Sequence, residues 1–269
     1  MSFKPFDFHT HSLFCDGKNT LEEMTLASIE KGFSAIGFSA HSYTDFDRDY
    51  CLQDEAAYFA EGRRLQEKYK GEIEVLCGIE RDFYAHNTYP DADYVIGSVH
   101  YVKVGDKYIA VDLFDGQPEA VEKYFGGDYI SFAESYFENV AKLPKAHKTD
   151  IIGHFDLIKI FNKDGNLFDE NSERYINAGI KALDELLKYD VLFEINTGAV
   201  FRGRRPEPYP SEVFLRYIAE HGGKVTLSGD SHEVNALAFN FEKSKELAKE
   251  CGFKSIYTIT KDGKKELEI

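Results

Sequence analysis

Short apolar runs alternate with amphipathic stretches along this chain, a pattern that predicts βα units around a mainly parallel sheet. Seven runs read as strands: FDFHTH from Phe6, FSAIGFS from Phe33, EIEVLCGIE from Glu72, DYVIGSVH from Asp93, DIIGH from Asp150, VLFEINTG from Val191 and KVTLSGDSH from Lys224. Between the first two, Thr20 and Glu23 form a capping box for a helix ending near Gly32. A second helix is expected from about Asp54 to Tyr69, closed by Gly71. SFAESYFENVAKL is the helical part of a long crossover before the fifth strand, and further helices are expected from Ser172 to about Lys188, over SEVFLRYIAEHGG and over NFEKSKELAKECG. The last segment, KSIYTITKDGKKELEI, reads as a hairpin turning at Asp262-Gly263. There is no repeat or low-complexity tract, and 269 residues suit a single α/β domain over 1–269.

A net charge of −15 opposes binding of a nucleic-acid polymer and leaves a small charged metabolite as the better partner. No 18-residue apolar run exists to enter a membrane, and no basic segment followed by an apolar one marks a signal peptide, so a cytoplasmic protein is expected. Cys15, Cys51, Cys77 and Cys251 are far apart and form no C-x-x-C pair, which predicts reduced thiols rather than disulfides or a thiolate zinc site.

In FDFHTH, residues two apart share a face, so His9 and His11 lie on the side of Asp7. Six of the seven strands place a potential metal ligand where the strand gives way to its loop, the rim on which the carboxyl ends of parallel strands converge. The gathered set is His9, His11, Asp16, His41, Glu80, His100, His154, Asp230 and His232; His86, His147 and His221 fall elsewhere and read as surface residues. Six imidazoles and three carboxylates exceed what one ion takes, so two or three divalent metals are implied. Nitrogen and oxygen donors without thiolate suit Zn, Mn or Fe(II).

The order H-x-H, D, S-A-H, G-x-E, S-V-H, G-H, D-x-H resembles the polymerase and histidinol phosphatase (PHP) superfamily over essentially the whole chain, and within it the monofunctional histidinol-phosphate phosphatases. The resemblance implies a distorted (β/α)7 TIM-like barrel with a trinuclear metal centre at the carboxyl-terminal rim. It assigns one metal to His9, His11, Glu80 and Asp230, a second to Glu80, His100 and His154, and a third to Asp16, His41 and His232. Some members have histidine where this chain has Asp16. It also implies the reaction, hydrolysis of L-histidinol phosphate to L-histidinol and phosphate in histidine biosynthesis, and a phosphate-contacting arginine at Arg202. A second such arginine is expected where this chain has Lys159.

For a small phosphate monoester, a hydroxide between two close ions is placed to attack phosphorus, and the third ion helps to bind the ester. Asp230, His232 and Glu80 are the catalytic candidates, and Asp230 or a neighbouring water could protonate the leaving alkoxide. The loop NTGAVFRGRRPEPYPS brings Arg202, Arg204 and Arg205 to the rim, where guanidinium forks suit phosphate, and Lys159 would act as a point charge. Asn196 could bond a ligand or fix this loop, and aromatic residues near Tyr43, Phe83 and Tyr101 could wall an imidazole-bearing substrate. Rival readings are an amidohydrolase-like (β/α)8 enzyme, which requires a bridging lysine; a PHP phosphoesterase acting on another small ester or a nucleotide; and a non-catalytic PHP scaffold, which tends to lack ligands that are all present here.

Overall fold

Parallel pairing carries the seven apolar runs around a nearly closed barrel in the computed structural model, which describes residues 3–269. In chain order the elements are β1 (Phe6–Asp7), α1 (Leu21–Glu30), β2 (Ala35–His41), α2 (Glu55–Lys68), β3 (Glu74–Asp82), β4 (Val95–Ser98), β5 (Tyr101–Val104) and β6 (Lys107–Ala110). There follow α3 (Gln117–Phe125), α4 (Tyr129–Val140), α5 (Leu143–Ala146), β7 (Ile151–Ile152), α6 (Glu173–Leu186), β8 (Leu192–Asn196), α7 (Gly198–Phe201), α8 (Glu212–Glu220), β9 (Lys224–Ser228), α9 (Phe241–Glu250), β10 (Ser255–Thr260) and β11 (Gly263–Glu268). The large sheet runs β1-β2-β3-β4-β7-β8-β9, every neighbour parallel. No helix among the described residues is long and apolar enough to cross a membrane.

The ends of the sheet meet through Thr10 and Ser231, with the His11 N–H donating to Ser231 O (2.9 Å) and the Ser231 N–H to His9 O (2.9 Å). This seam sets the H-x-H and D-x-H segments side by side. Asp7 braces it from within, accepting from the Gly229 N–H (3.1 Å) and Ser231 Oγ (3.1 Å). Gly229 cannot carry a side chain here, because a Cβ would stand 2.5 Å from Asp7 Oδ2 and 2.2 Å from Ser231 Oγ.

Local chemistry explains the helices. Thr20 Oγ1 accepts from the Glu23 N–H (3.1 Å) while Glu23 Oε2 accepts from the Thr20 N–H (2.8 Å), the reciprocal bonds that the capping box requires. Asp54 caps α2, and Gly71 takes φ 92° beyond its end. On the outside of the sheet Phe132, Tyr136, Phe137, Phe155, Tyr175 and Phe214 are fully buried and pack largely edge-to-face, each contributing roughly 1.5–3 kcal/mol of burial.

Three segments differ from the sequence reading. The crossover after His100 contains an antiparallel hairpin, β5–β6, turning at Gly105 (φ 58°). β1 and β7 are two-residue strands, shorter than their apolar runs, since pairing stops where His9 and His154 leave the ladder for the rim.

Candidate metal centre

Glu80, 1% exposed at the rim end of β3, is the hub. His9 Nε2 (3.2 Å), His11 Nε2 (3.6 Å) and His41 Nδ1 (2.9 Å) face its Oε2, and His100 Nε2 (3.2 Å) and His154 Nε2 (2.9 Å) face its Oε1. The register of β2 on β3 pairs His41 directly with Glu80. Asp230 Oδ1 lies 3.4 Å from His11 Nε2, 3.8 Å from His9 Nε2 and 3.5 Å from His232 Nδ1. Asp16 meets His232 Nε2 at 3.2 Å, His41 Nε2 at 3.5 Å and His11 Nδ1 at 3.7 Å. All nine expected ligands are brought together.

Their donor atoms form three overlapping groups within 4.8 Å: His9, His11 and Glu80; His41, Glu80 and His100; and His11, Asp16, His41 and His232. His11 and His41 each serve two groups, more sharing than the family assignment implies, and His154 touches Glu80 outside the second group. The donor chemistry fits divalent cations. His9 Nε2, His11 Nε2 and Glu80 Oε2 are buried with no hydrogen-bond partner, a cost of about 1–3 kcal/mol each that a shared cation removes.

Burial is the largest single influence on these groups, and neighbouring charge overrides it at several of them. Burial lowers His9, but Glu194, Glu80 and Asp230 together hold its imidazole well above the ordinary range. His100, buried against Glu80 and Asp82, is pushed up to about 10, whereas burial beside His232 and His41 takes His11 down to about 3. Burial opposes ionisation of Asp230, yet Arg202 and His9 hold its carboxyl well below the usual range. Asp230 also adopts φ 46°, a strained backbone that points its carboxylate into the cluster.

Three buried acids stand behind the ligands, none of them in the candidate set, although Asp7 shares the face of His9 and His11. Glu194 accepts from His9 Nδ1 (2.8 Å), Asp82 Oδ2 lies 3.3 Å from His100 Nδ1, and Asp7 accepts from the His9 backbone N–H (3.1 Å). The signal for the first two was present: a glutamate inside the apolar run VLFEIN, and an aspartate two residues beyond Glu80 on the same face. Asn196 fixes its loop, donating to Glu194 Oε1 (2.7 Å) and accepting from the Gly198 N–H (2.9 Å).

A cavity of about 540 Å3 opens above the cluster. Arg202 and Arg204 line it, as do Asp47, Asp49, Asp112 and Tyr50. Arg202 bonds Asp230 through Nη2 to Oδ2 (2.9 Å) and Nη1 to the carbonyl (3.1 Å). Lys159 and Arg205, expected at the phosphate, are not brought there. Lys159 is fully buried, its Nζ 3.1 Å from Asp156, 3.3 Å from Glu207 and 2.5 Å from Ser211 Oγ; Arg205 bonds the carbonyls of Lys159 and Asn162 and the Glu170 carboxylate. Acids on adjoining loops claim both cations. Of the expected aromatic wall only Tyr101 lines the cavity. His86 and His221 are exposed, and His147 is half-buried rather than at the surface.

The PHP domain model matches residues 7–198 of this chain. The chain belongs to the PHP domain family. A probable histidinol-phosphatase of Schizosaccharomyces pombe is 29% identical over 280 residues, covering 96% of this chain and 90% of the relative. A solved Listeria monocytogenes chain superposes with TM-score 0.79 at 22% identity, covering 89% of this chain and 99% of that one. Histidinol phosphate phosphatase from Lactococcus lactis, solved with zinc, L-histidinol and phosphate, superposes with TM-score 0.66 at 22% identity, covering 98% and 100%. The PHP barrel here centres on a carboxylate, Glu80, where the amidohydrolase-like rival requires a lysine.

Proposed function

We propose that this PHP chain, one domain over residues 1–269, is a histidinol-phosphatase: a metal-dependent phosphomonoesterase that hydrolyses L-histidinol phosphate to L-histidinol and phosphate. The observation that carries the reading is the convergence of six imidazoles and three carboxylates around Glu80 under a cavity that Arg202 enters. In support, the Schizosaccharomyces pombe relative is named a probable histidinol-phosphatase and is matched over 90% of its length, and the Lactococcus lactis histidinol phosphate phosphatase is matched over its whole length.

Three ions, Zn, Mn or Fe, fit the donor set with each imidazole used once: one at His9, His11, Glu80 and Asp230, one at Glu80, His100 and His154, and one at Asp16, His41 and His232. When bound, such ions supply Lewis-acid activation of water and of the phosphoryl group. The chain's residues do the rest. Arg202 and Arg204 hold the phosphate oxygens with charge-assisted hydrogen bonds that strengthen as charge builds on them. Asp230, which lines the cavity beside Arg202, would take the proton that the attacking water loses and return it, directly or through a neighbouring water, to the leaving alkoxide, with His232 holding the Asp230 carboxylate in place at 3.5 Å. Asp47, Asp49 and Asp112 add negative charge to the cavity lining, which suits the cationic amino alcohol of the ester. The four thiols are free, in keeping with a reducing cytoplasm.

Phosphate release from L-histidinol phosphate should vanish on exhaustive chelation and return on adding Zn2+, Mn2+ or Fe2+. Turnover unaffected by chelation, in protein verified free of metal, would reject the proposal.

A further inference from the structure

Glu194, in the middle of β8 and 1% exposed, is one of the buried acids behind the cluster, and it reaches no substrate because it does not line the cavity. Four donors converge on its carboxylate. His9 Nδ1 (2.8 Å) and Ser228 Oγ (2.7 Å) reach Oε2, while Asn196 Nδ2 (2.7 Å) and the His154 backbone N–H (2.6 Å) reach Oε1. A carboxylate only accepts, so the imidazole of His9 must carry its proton on Nδ1. Its Nε2, facing Glu80 Oε2 (3.2 Å) and Asp230 Oδ1 (3.8 Å), is then the nitrogen that would give up its proton to a cation and offer it a lone pair.

We propose that Glu194 is a positioning residue that fixes the tautomer of His9 and so creates the site shared by His9, His11 and Glu80. The proposal rests on reading the cluster as a metal centre. Partners behind metal-bound imidazoles commonly set tautomer and ring orientation. Asp82 Oδ2 lies 3.3 Å from His100 Nδ1 but accepts from the His100 backbone N–H (3.0 Å), so only His9 has its Nδ1 hydrogen-bonded to a buried acid in this way.

The arrangement makes a sharp claim about Glu194→Gln. The amide keeps the shape of the carboxylate, but one end becomes a donor. At the Oε1 end that donor would face the His154 backbone N–H, which cannot reverse. At the Oε2 end it faces a hydroxyl and an imidazole, which can. The amide nitrogen therefore settles against His9, the imidazole moves its proton to Nε2, and the lone pair facing Glu80 is lost.

The test is zinc binding to chelator-stripped wild type, Glu194→Gln and Ser228→Ala, read by competition with a chromophoric chelator and by bound zinc per chain. Glu194→Gln should weaken one class of zinc site by about 10–100-fold. Ser228→Ala, which removes a donor to the same oxygen without altering the acceptor, should stay within about threefold, and the zinc-free proteins should unfold within a few degrees of one another. Unchanged zinc binding in Glu194→Gln, or equal weakening in Ser228→Ala, overturns the proposal. A wild type that binds no zinc overturns the metal-centre reading itself. Nitrogen-15 spectra of zinc-loaded wild type decide independently of how the variants fold: His9 must show Nδ1–H with zinc on Nε2, and zinc on Nδ1 overturns the proposal.

Discussion

Arg202 and Lys159 carry the same charge on neighbouring loops and meet opposite fates. Arg202 opens into the cavity with its side chain 31% exposed, while Lys159 is sealed against Asp156, Glu207 and Ser211. Arg202→Ala should lower kcat/KM for the phosphate ester by about 10–100-fold, the worth of one or two charge-assisted hydrogen bonds; unchanged kcat/KM would remove Arg202 from the phosphate site. Lys159→Met leaves Asp156 buried without its cation, so stability should fall by about 3–5 kcal/mol in denaturant unfolding, with KM nearly unchanged in the folded fraction. A raised KM with full stability would return Lys159 to the substrate. The ligands at strand ends were legible in the sequence because strand direction fixes where such residues point. Lys159 and Arg205 were not, because their directions depend on Asp156, Glu170 and Glu207, which no local pattern links to them.

At the level of elements, the seven parallel strands and most helices follow from apolar runs and caps, as Thr20, Asp54 and Gly71 show. The hairpin β5–β6 was missed although YVKVGDKYIA alternates around a Gly-Asp turn, since its position between a strand and a helix suggested only a crossover. The capping box offers a clean check. Thr20→Ala should cost about 1 kcal/mol and lower Tm by about 2–4 °C with kcat unchanged, because α1 lies away from the cavity lining. No shift in Tm would mean that tertiary packing alone holds the first turn of α1. Glu194, an acid in an apolar strand, was visible in the sequence as an anomaly, but its meaning needed the partner His9, brought to it across the barrel.

The whole molecule joins a strongly acidic surface to a local basic wall. With 47 acidic against 32 basic residues, the general field opposes polyanions, and Arg202 and Arg204 supply the positive charge where a small phosphate ester is to bind. Barrel closure makes the ligand cluster common to β1, β2, β3 and the loop after β9, so binding of ions ties the ends of the sheet together. Each ion held at a hundred times its Kd should add about 2.7 kcal/mol, and chelation should therefore lower Tm by several degrees in calorimetry. Equal melting with and without metal would mean that the cluster does not hold ions in solution. The central claim, that this PHP site turns over histidinol phosphate, is tested most directly by kcat/KM for phosphate release from L-histidinol phosphate beside an aryl phosphate and a mononucleotide. A preference of about a hundredfold or more for histidinol phosphate, roughly 2.7 kcal/mol in the transition state, is the expected result. Comparable or absent activity on it, with the aryl ester or nucleotide cleaved well, would contradict the assignment while leaving a metal-dependent phosphoesterase.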